Sequence, residues 1–329
     1  MSPLFHKSIA LVFSASFLMF LLPSQAQEAY PTKPIKLIIP FPPGGATDVI
    51  GRILALELSK TLNQQVVVDN RSGDSGNIGA DLASKAPGDG YTLLMGALTS
   101  HAINASLEKN TIKYDLEKDF RPVAVVGFVP LVFVVNPSVP VKNMKEFIAY
   151  AKANPGKLTF ASSGPGGPQR LAMEMFRSQE GIDLLHVPYK GSGPAMTDLI
   201  GGQILSMSET VPAALAFIQG GQLRALAVTT PKRISQLPDI PTVTEATGLP
   251  NFDVVSLFGI LAPSKTPKYI VEKLNTDIKT ILQRTDVQER MLAAGVYVNY
   301  LGTTDSAKRI QRELAMWSKV IKEANIKPD

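Results

Sequence analysis

The chain has 329 residues, 45% hydrophobic and 19% charged, with Lys+Arg 33 against Asp+Glu 28. It is too long for a single compact core and too apolar for disorder, so two α/β-sized domains are expected. The absence of cysteine excludes disulfides and thiolate nucleophiles, and with three histidines an imidazole metal cluster is a poor reading, so no metal and no cofactor is expected.

His6 and Lys7 precede an apolar run over 9–22, followed by Pro23 and Ser24-Gln25-Ala26. Weak basicity, then apolarity, then small residues at −3 and −1 is the order of a secretory signal, expected to be cleaved after Ala26 and to deliver the chain to the periplasm. The 14 residues of that run are short of the roughly 20 that a spanning helix needs. Removing 1–26 takes away one Lys and no acid, so the net charge falls only from +5 to +4. Without a Lys/Arg block interleaved with aromatics, nucleic acid is not an expected partner.

Short Val/Ile/Leu runs then alternate with helical patterns, the signature of βαβ units. Strands are expected at 35–39, 65–69 and 91–95, with a helix over 47–62 and a second from about Gly76 to before Pro87. Apolar Ile50, Ile53, Leu54, Leu58 and Leu62 keep the 3.6 period of a helix with one buried face. The run over 121–136 is too long for one strand and contains Pro130, so two strands joined at a bend are expected, with a hinge there. Beyond it come helix 142–153, strand 158–162, helix 168–179, strand 184–189, helix 194–200, strand 204–207, helix 212–219 and strand 223–229. A second long apolar run, 252–262, marks a return to the first domain, and two closing helices carry Ile270, Val271, Leu274, Ile278 and Ile281, then Ala307, Ile310, Leu314, Trp317 and Ile321. The expected division is 27–129 with 254–329 as one domain and 130–253 as the other, each a mainly parallel sheet flanked by helices.

Ligands of open α/β sheets bind beyond the carboxyl ends of the strands. Four loops there share one composition: Pro40-Phe41-Pro42-Pro43-Gly44-Gly45-Ala46-Thr47-Asp48, Gly96-Ala97-Leu98-Thr99-Ser100-His101, Ser162-Ser163-Gly164-Pro165-Gly166-Gly167 and Lys190-Gly191-Ser192-Gly193-Pro194. Glycine lets a ligand approach the backbone, hydroxyls cap or donate, and a helix N-terminus offers unpaired N–H groups with partial positive charge. An anion is the natural guest. Asp48 and Thr47 equally suit helix capping, and His101 and His186 have no sequence-local catalytic partner. No G-x-S-x-G, P-loop, G-x-G-x-x-G or H-E-x-x-H occurs. Glu209, placed after strand 204–207, suits a base or an orienting acceptor; Arg170 could meet a ligand carboxylate or face water.

Tyr30-Pro31-Thr32-Lys33-Pro34-Ile35, the Pro40–Asp48 loop, Asn70-Arg71-x-Gly73, Gly76-Asn77-Ile78-Gly79, Asp89-Gly90-Tyr91-Thr92-Leu93, His186-Val187-Pro188-Tyr189-Lys190-Gly191, Leu223-Arg224-Ala225-Leu226-Ala227-Val228 and Pro238-Asp239-Ile240-Pro241-Thr242 follow one another over nearly the whole chain. In these the chain resembles the Bug family of extracytoplasmic solute receptors of the tripartite tricarboxylate transporter type. The resemblance implies a two-domain periplasmic binding protein fold, type II-like, closing on a small carboxylate such as a dicarboxylate, amino acid or aromatic acid, with no catalysis. It points to Gly44, Gly45, Ala46, Thr47, Thr99, Ser100, Ser162, Ser163, Gly164, Gly191 and Ser192 as ligand-binding; the residues themselves add Arg170 and Glu209. Gln203-Ile204-Leu205 with Glu209-Thr210, and Pro165 to Arg170, depart from the family pattern. Expected partners are membrane permease subunits or a sensor kinase, with the receptor a monomer. The alternatives are an exported hydrolase acting on a carboxylate or amide, or a ligand sensor for a two-component system. Mass spectrometry of the exported protein should give an N-terminus at Gln27; an intact Met1 in that fraction would contradict cleavage after Ala26.

Overall fold

The apolar runs and amphipathic stretches become ten strands and eleven helices among the described residues. The structure, a computed structural model, describes residues 29–328 apart from Ser163, Pro165 and Lys190, so the leader and the candidate Ser163 lie outside it. In the first sheet, β1 (Ile35–Ile39) lies between β2 (Val66–Asn70) and β3 (Thr92–Ala97), all parallel, with Ile35 opposite Val66 and Lys36 opposite Thr92. Antiparallel β9 (Val255–Pro263), β4 (Phe120–Val135) and β10 (Tyr297–Leu301) complete it. In the second, β5 (Thr159–Ser162) lies between β6 (Leu185–Pro188) and β7 (Ser206–Thr210) in parallel; the end of β4 runs antiparallel to β7, and β8 (Arg224–Val228), antiparallel to β4, runs with β5–β7. The α/β reading stands, but both sheets are mixed: β9 runs against β1 and β3 in the first, and β4, which runs with them there, runs against β7 in the second.

The expected bend at Pro130 is corrected: β4 is one strand of 16 residues. Pro130 is the last residue opposite β9, facing Val255, and Leu131 already faces Thr210 of β7. The missing proline N–H therefore falls where the ladder changes partners, which is where a proline costs a strand least. Beside this point Thr229 is fully buried and its hydroxyl donates to Val254 O (2.6 Å) or Leu131 O (3.1 Å), while its N–H donates to Leu131 O at 3.0 Å. One side chain thus spans both passages of the chain between the sheets.

The helices are α1 (Ala46–Leu62), α2 (Asn77–Ser84), α3 (Leu98–Leu107), α4 (Met144–Ala153), α5 (Pro168–Glu180), α6 (Ser192–Ile200), α7 (Val211–Gln219), α8 (Val243–Thr247), α9 (Lys268–Leu282), α10 (Thr285–Ala293) and α11 (Thr303–Glu323). In α1 the predicted stripe is buried at Ile50, Leu54, Leu58 and Leu62, each such side chain contributing about 2 kcal/mol relative to exposure. Behind the second sheet Phe133 packs on Phe176 and Phe252, with ring centroids 5.2 and 6.0 Å away. Instead of two closing helices there are three, with β10 among them: α10 and β10 intervene between α9 and α11. Among the described residues no helix is long and apolar enough to cross a membrane.

α10 is held to α1 through Glu57, whose side chain is fully buried. Arg284 Nη1 donates to Oε2 at 2.6 Å, Arg290 Nη2 to Oε1 at 2.8 Å, and Lys60 Nζ lies 3.0 Å from Oε1. Burial opposes the charge, but the bonds from Arg290, Lys60 and Arg284 outweigh it and pull the Glu57 carboxyl down to about 2. A folded-state value below the unfolded one stabilises fully above the ordinary glutamate range, and that stabilisation is lost as pH falls toward about 2. Glu57→Gln should therefore cost about 2 kcal/mol at neutral pH, after discounting for the half-exposed arginines, with the difference closing in acid. Urea titrations of both proteins across that range measure it; a constant gap would disprove the linkage.

Candidate functional site

Five helices follow strands β1, β3, β5, β6 and β7, two of them directly and three after short loops, and start at one cavity of about 600 Å³ between the sheets. The residues preceding them are Gly45 for α1, Ala97 for α3, Gly167 for α5, Gly191 for α6 and Thr210 for α7; all five line the cavity and none makes a side-chain capping bond. α9, α10 and α11 also lack such caps, so direction, not capping, sets the five apart. Each helix start carries unpaired N–H groups and about half a positive charge. No described residue lining the cavity is Lys, Arg or His, and one is a carboxylate, Glu209. Two other hollows, about 530 Å³ beside α1 and β2 and about 760 Å³ against α11, are lined by no helix N-cap.

In the first loop Gly45, Ala46 and Thr47 reach the cavity. Gly44 does not line it; at φ +90 it makes the turn that presents Gly45. Asp48 holds that turn from behind, accepting from Gly44 N (3.0 Å), Arg52 Nε (2.9 Å) and Asn70 Nδ2 (2.9 Å). Burial resists its charge, yet the bonds from Arg52, Gly44 and Asn70 prevail and keep its carboxyl below the ordinary range. Asp48 shapes the loop, as the capping reading allowed.

Thr99 and Ser100, expected ahead of a helix, lie inside the first turn of α3, and both line the cavity. The Thr99 hydroxyl is committed to the protein: it accepts from Leu257 N (3.1 Å) and donates to Val255 O (2.9 Å) or Glu313 Oε2 (3.2 Å). What Thr99 offers a solute is its backbone. Glu313 also accepts from Trp317 Nε1 at 3.0 Å and from Arg309 Nε at 2.9 Å. Burial pushes its carboxyl above the ordinary range against the opposing pull of Arg309, Trp317 and Thr99.

From the second sheet Gly164, Gly191, Ser192 and Glu209 line the cavity. Glu209 is a residue of β7 rather than of the loop after it, because the strand runs on to Thr210. Ser162 is fully buried and outside the lining; its Oγ lies 2.7 Å from His186 Nε2, tying β5 to β6. Arg170 also stands apart: it is buried, 3.9 Å from Glu174 Oε1, with Nη2 3.5 Å from Lys327 O, so it faces neither water nor the cavity lining. His101 is a buried residue of α3 with Nδ1 3.0 Å from Tyr114 Oη, and burial brings its pKa down to about 4.

Sequence reasoning missed the walls. Phe41, Val129, Leu257 and Phe258 give the cavity an apolar side, and Ser75, Gln169 and Ser256 add polar atoms. Phe41 lies in the first glycine loop and Gln169 in the 165–170 segment, whereas the strand residues Val129, Leu257 and Phe258 carried no signal beyond apolarity. Where Gly166 approaches α3, a Cβ would overlap Asn104 Oδ1, so the loop after β5 packs closely on α3 here. The chemistry available is that of a partly apolar container with positive helix ends and no metal cluster among the described residues.

The family model for the tripartite tricarboxylate transporter family receptor matches residues 50–326. The chain belongs to this family. Its members are periplasmic solute-binding receptors and not enzymes. The protein BugT of Bordetella pertussis is 40% identical over 302 residues, covering 91% of this chain and 92% of that one. A Rhodopseudomonas palustris protein solved with adipate is 37% identical with a TM-score of 0.80, covering 92% of this chain and all of that one. MatC from Rhodopseudomonas palustris, solved with bound malate, is 30% identical with a TM-score of 0.75 over 89% of this chain and all of that one.

Trp317 is the only tryptophan, and through Glu313 it is two hydrogen bonds from Thr99 at the cavity. Occupation of the cavity should change its emission with the same midpoint as calorimetric binding. Emission that stays flat through calorimetric saturation would show that the Thr99–Glu313 link transmits nothing.

Proposed function

We propose that this receptor captures a small carboxylated solute between the two sheets and presents it to the permease subunits of a tripartite tricarboxylate-type transporter. The observation that carries this reading is the convergence of five helix starts on a cavity with no described cation in its lining. Backbone N–H groups are fixed donors that lose no rotamer freedom on binding, and in a partly apolar site their field acts on an anion with little screening. The apolar wall of Phe41, Val129 and Phe258 suits a hydrocarbon portion. Adipate and malate, seen in the two relatives, are the first solutes to test. In this reading 27–129 with 254–329 forms one lobe and 130–253 the other, and closure turns on the paired passages beside Thr229.

Gly45→Val tests it. Gly45 has φ −78, and an added Cβ would meet only Pro42 O at 3.9 Å, so the fold accepts the change while the branched side chain occupies the space beside the first N–H groups of α1. Calorimetry over a panel of carboxylic acids should show a loss of roughly a hundredfold in affinity, about 2.7 kcal/mol, with the melting temperature of the free protein unchanged. Undiminished affinity would reduce the first loop to a capping turn.

A further inference from the structure

Glu209 is 1% exposed in β7, opposite Val132 of β4, and lines the cavity. Its Oε1 is served: Thr210 N donates at 2.6 Å and Gln169 Nε2 approaches at 3.4 Å. Its Oε2 is buried and has no hydrogen-bond partner. A buried carboxylate oxygen without a donor is costly, and native proteins leave few of them. Hydroxyls line the same cavity at Ser75, Thr99, Ser100, Ser192 and Ser256, yet none of them reaches Oε2. No described side chain donates to Oε2, so in the occupied cavity its donor comes from what fills the cavity.

Resting on the carboxylate-receptor reading above, we propose that Glu209 determines specificity by binding an ammonium group of the solute, so that the preferred ligand class is the zwitterionic amino acid rather than the dianionic dicarboxylate. Two charges make the choice. The Thr210 N–H that meets Glu209 belongs to the start of α7, so this helix end is neutralised by the protein and the other four remain for the solute's carboxylate. A second solute carboxylate near Oε2 would face a like charge, with no cation among the described lining residues to offset it. An ammonium answers both the charge and the missing donor, and a charge-assisted bond is roughly twice as strong as one from a neutral hydroxyl.

The test is calorimetry at neutral pH on wild type and Glu209→Gln, an isosteric change that keeps an acceptor oxygen and removes the charge. The probes are straight-chain acids from propanoate to hexanoate length, carrying an ammonium at the second or the last carbon, a hydroxyl at the last carbon, or a second terminal carboxylate. Wild type should bind an amino acid of the series at least tenfold more tightly than the hydroxy acid and the diacid of equal length. Glu209→Gln should erase that preference while tightening diacid binding. Diacids that bind wild type as well as the amino acids do, or a preference that survives in Glu209→Gln, would overturn this assignment and leave the carboxylate reading standing. Hydroxy acids that match the amino acids would overturn the ammonium. Failure of every acid to bind either protein would overturn the carboxylate reading and this one with it.

Discussion

An anion brought out of water needs replacement hydration, and in the proposed reading helix starts supply it where the described lining has no cationic side chain. Five first turns can point into one space only if the carboxyl ends of β1 and β3 face those of β5, β6 and β7. That arrangement is imposed by β4, which runs antiparallel to β9 over one stretch and antiparallel to β7 over the next. A strand shared this way turns the parallel halves of the two sheets toward a common cleft, and the rest of the molecule serves to keep it there. Thr229 closes the passage beside Leu131 and Val254, Asp48 fixes the first glycine turn, and Glu57 fastens α10 against α1.

Helix ends and lysines differ as anion holders. A lysine carries a full charge on a flexible stem and competes with water and salt, whereas an N–H in a first turn is a partial charge already in position. Affinity then depends on how many such ends reach the solute together. α1 and α3 belong to the first sheet and α5, α6 and α7 to the second, so neither side alone presents the full set. In a closing receptor, separating the sheets would divide the field and readmit water, tying affinity to closure through geometry alone.

The loops were legible because their chemistry is local. Glycine or serine between an apolar run and an amphipathic one marks a βα junction, and that pattern located Gly45, Ala46, Thr47, Gly164, Gly191 and Ser192 at the cavity. Thr99 and Ser100 were found for the same reason, although α3 begins one residue before them. Ser162 was misplaced because strand alternation turns its side chain to His186, and Arg170 because its place on α5 directs it to Glu174 and the end of the chain. The walls were not legible: Val129, Leu257 and Phe258 lie in runs apolar on both faces, where period two carries no inside-or-outside signal. β10 escaped because its five residues are all half-buried, and α10 because only Val287 and Met291 mark its inner face.

Glu209 was legible as a residue but not as a problem. From the sequence it is an acid near a strand end; in the fold it is the one carboxylate among the described residues of a cavity ringed by helix starts, with one oxygen held and the other not. Removing the charge would relieve the repulsion of a dianion, so a receptor meant for dicarboxylates alone gains nothing from a glutamate at this position. The α7 N-terminus makes the residue tolerable without making it satisfied, since Thr210 N reaches only Oε1. Stability alone would be better served by a neutral residue of equal size. A cost retained in an otherwise neutral lining fits selection among solutes, with the strand fixing the carboxylate in place and the solute providing the donor the protein lacks.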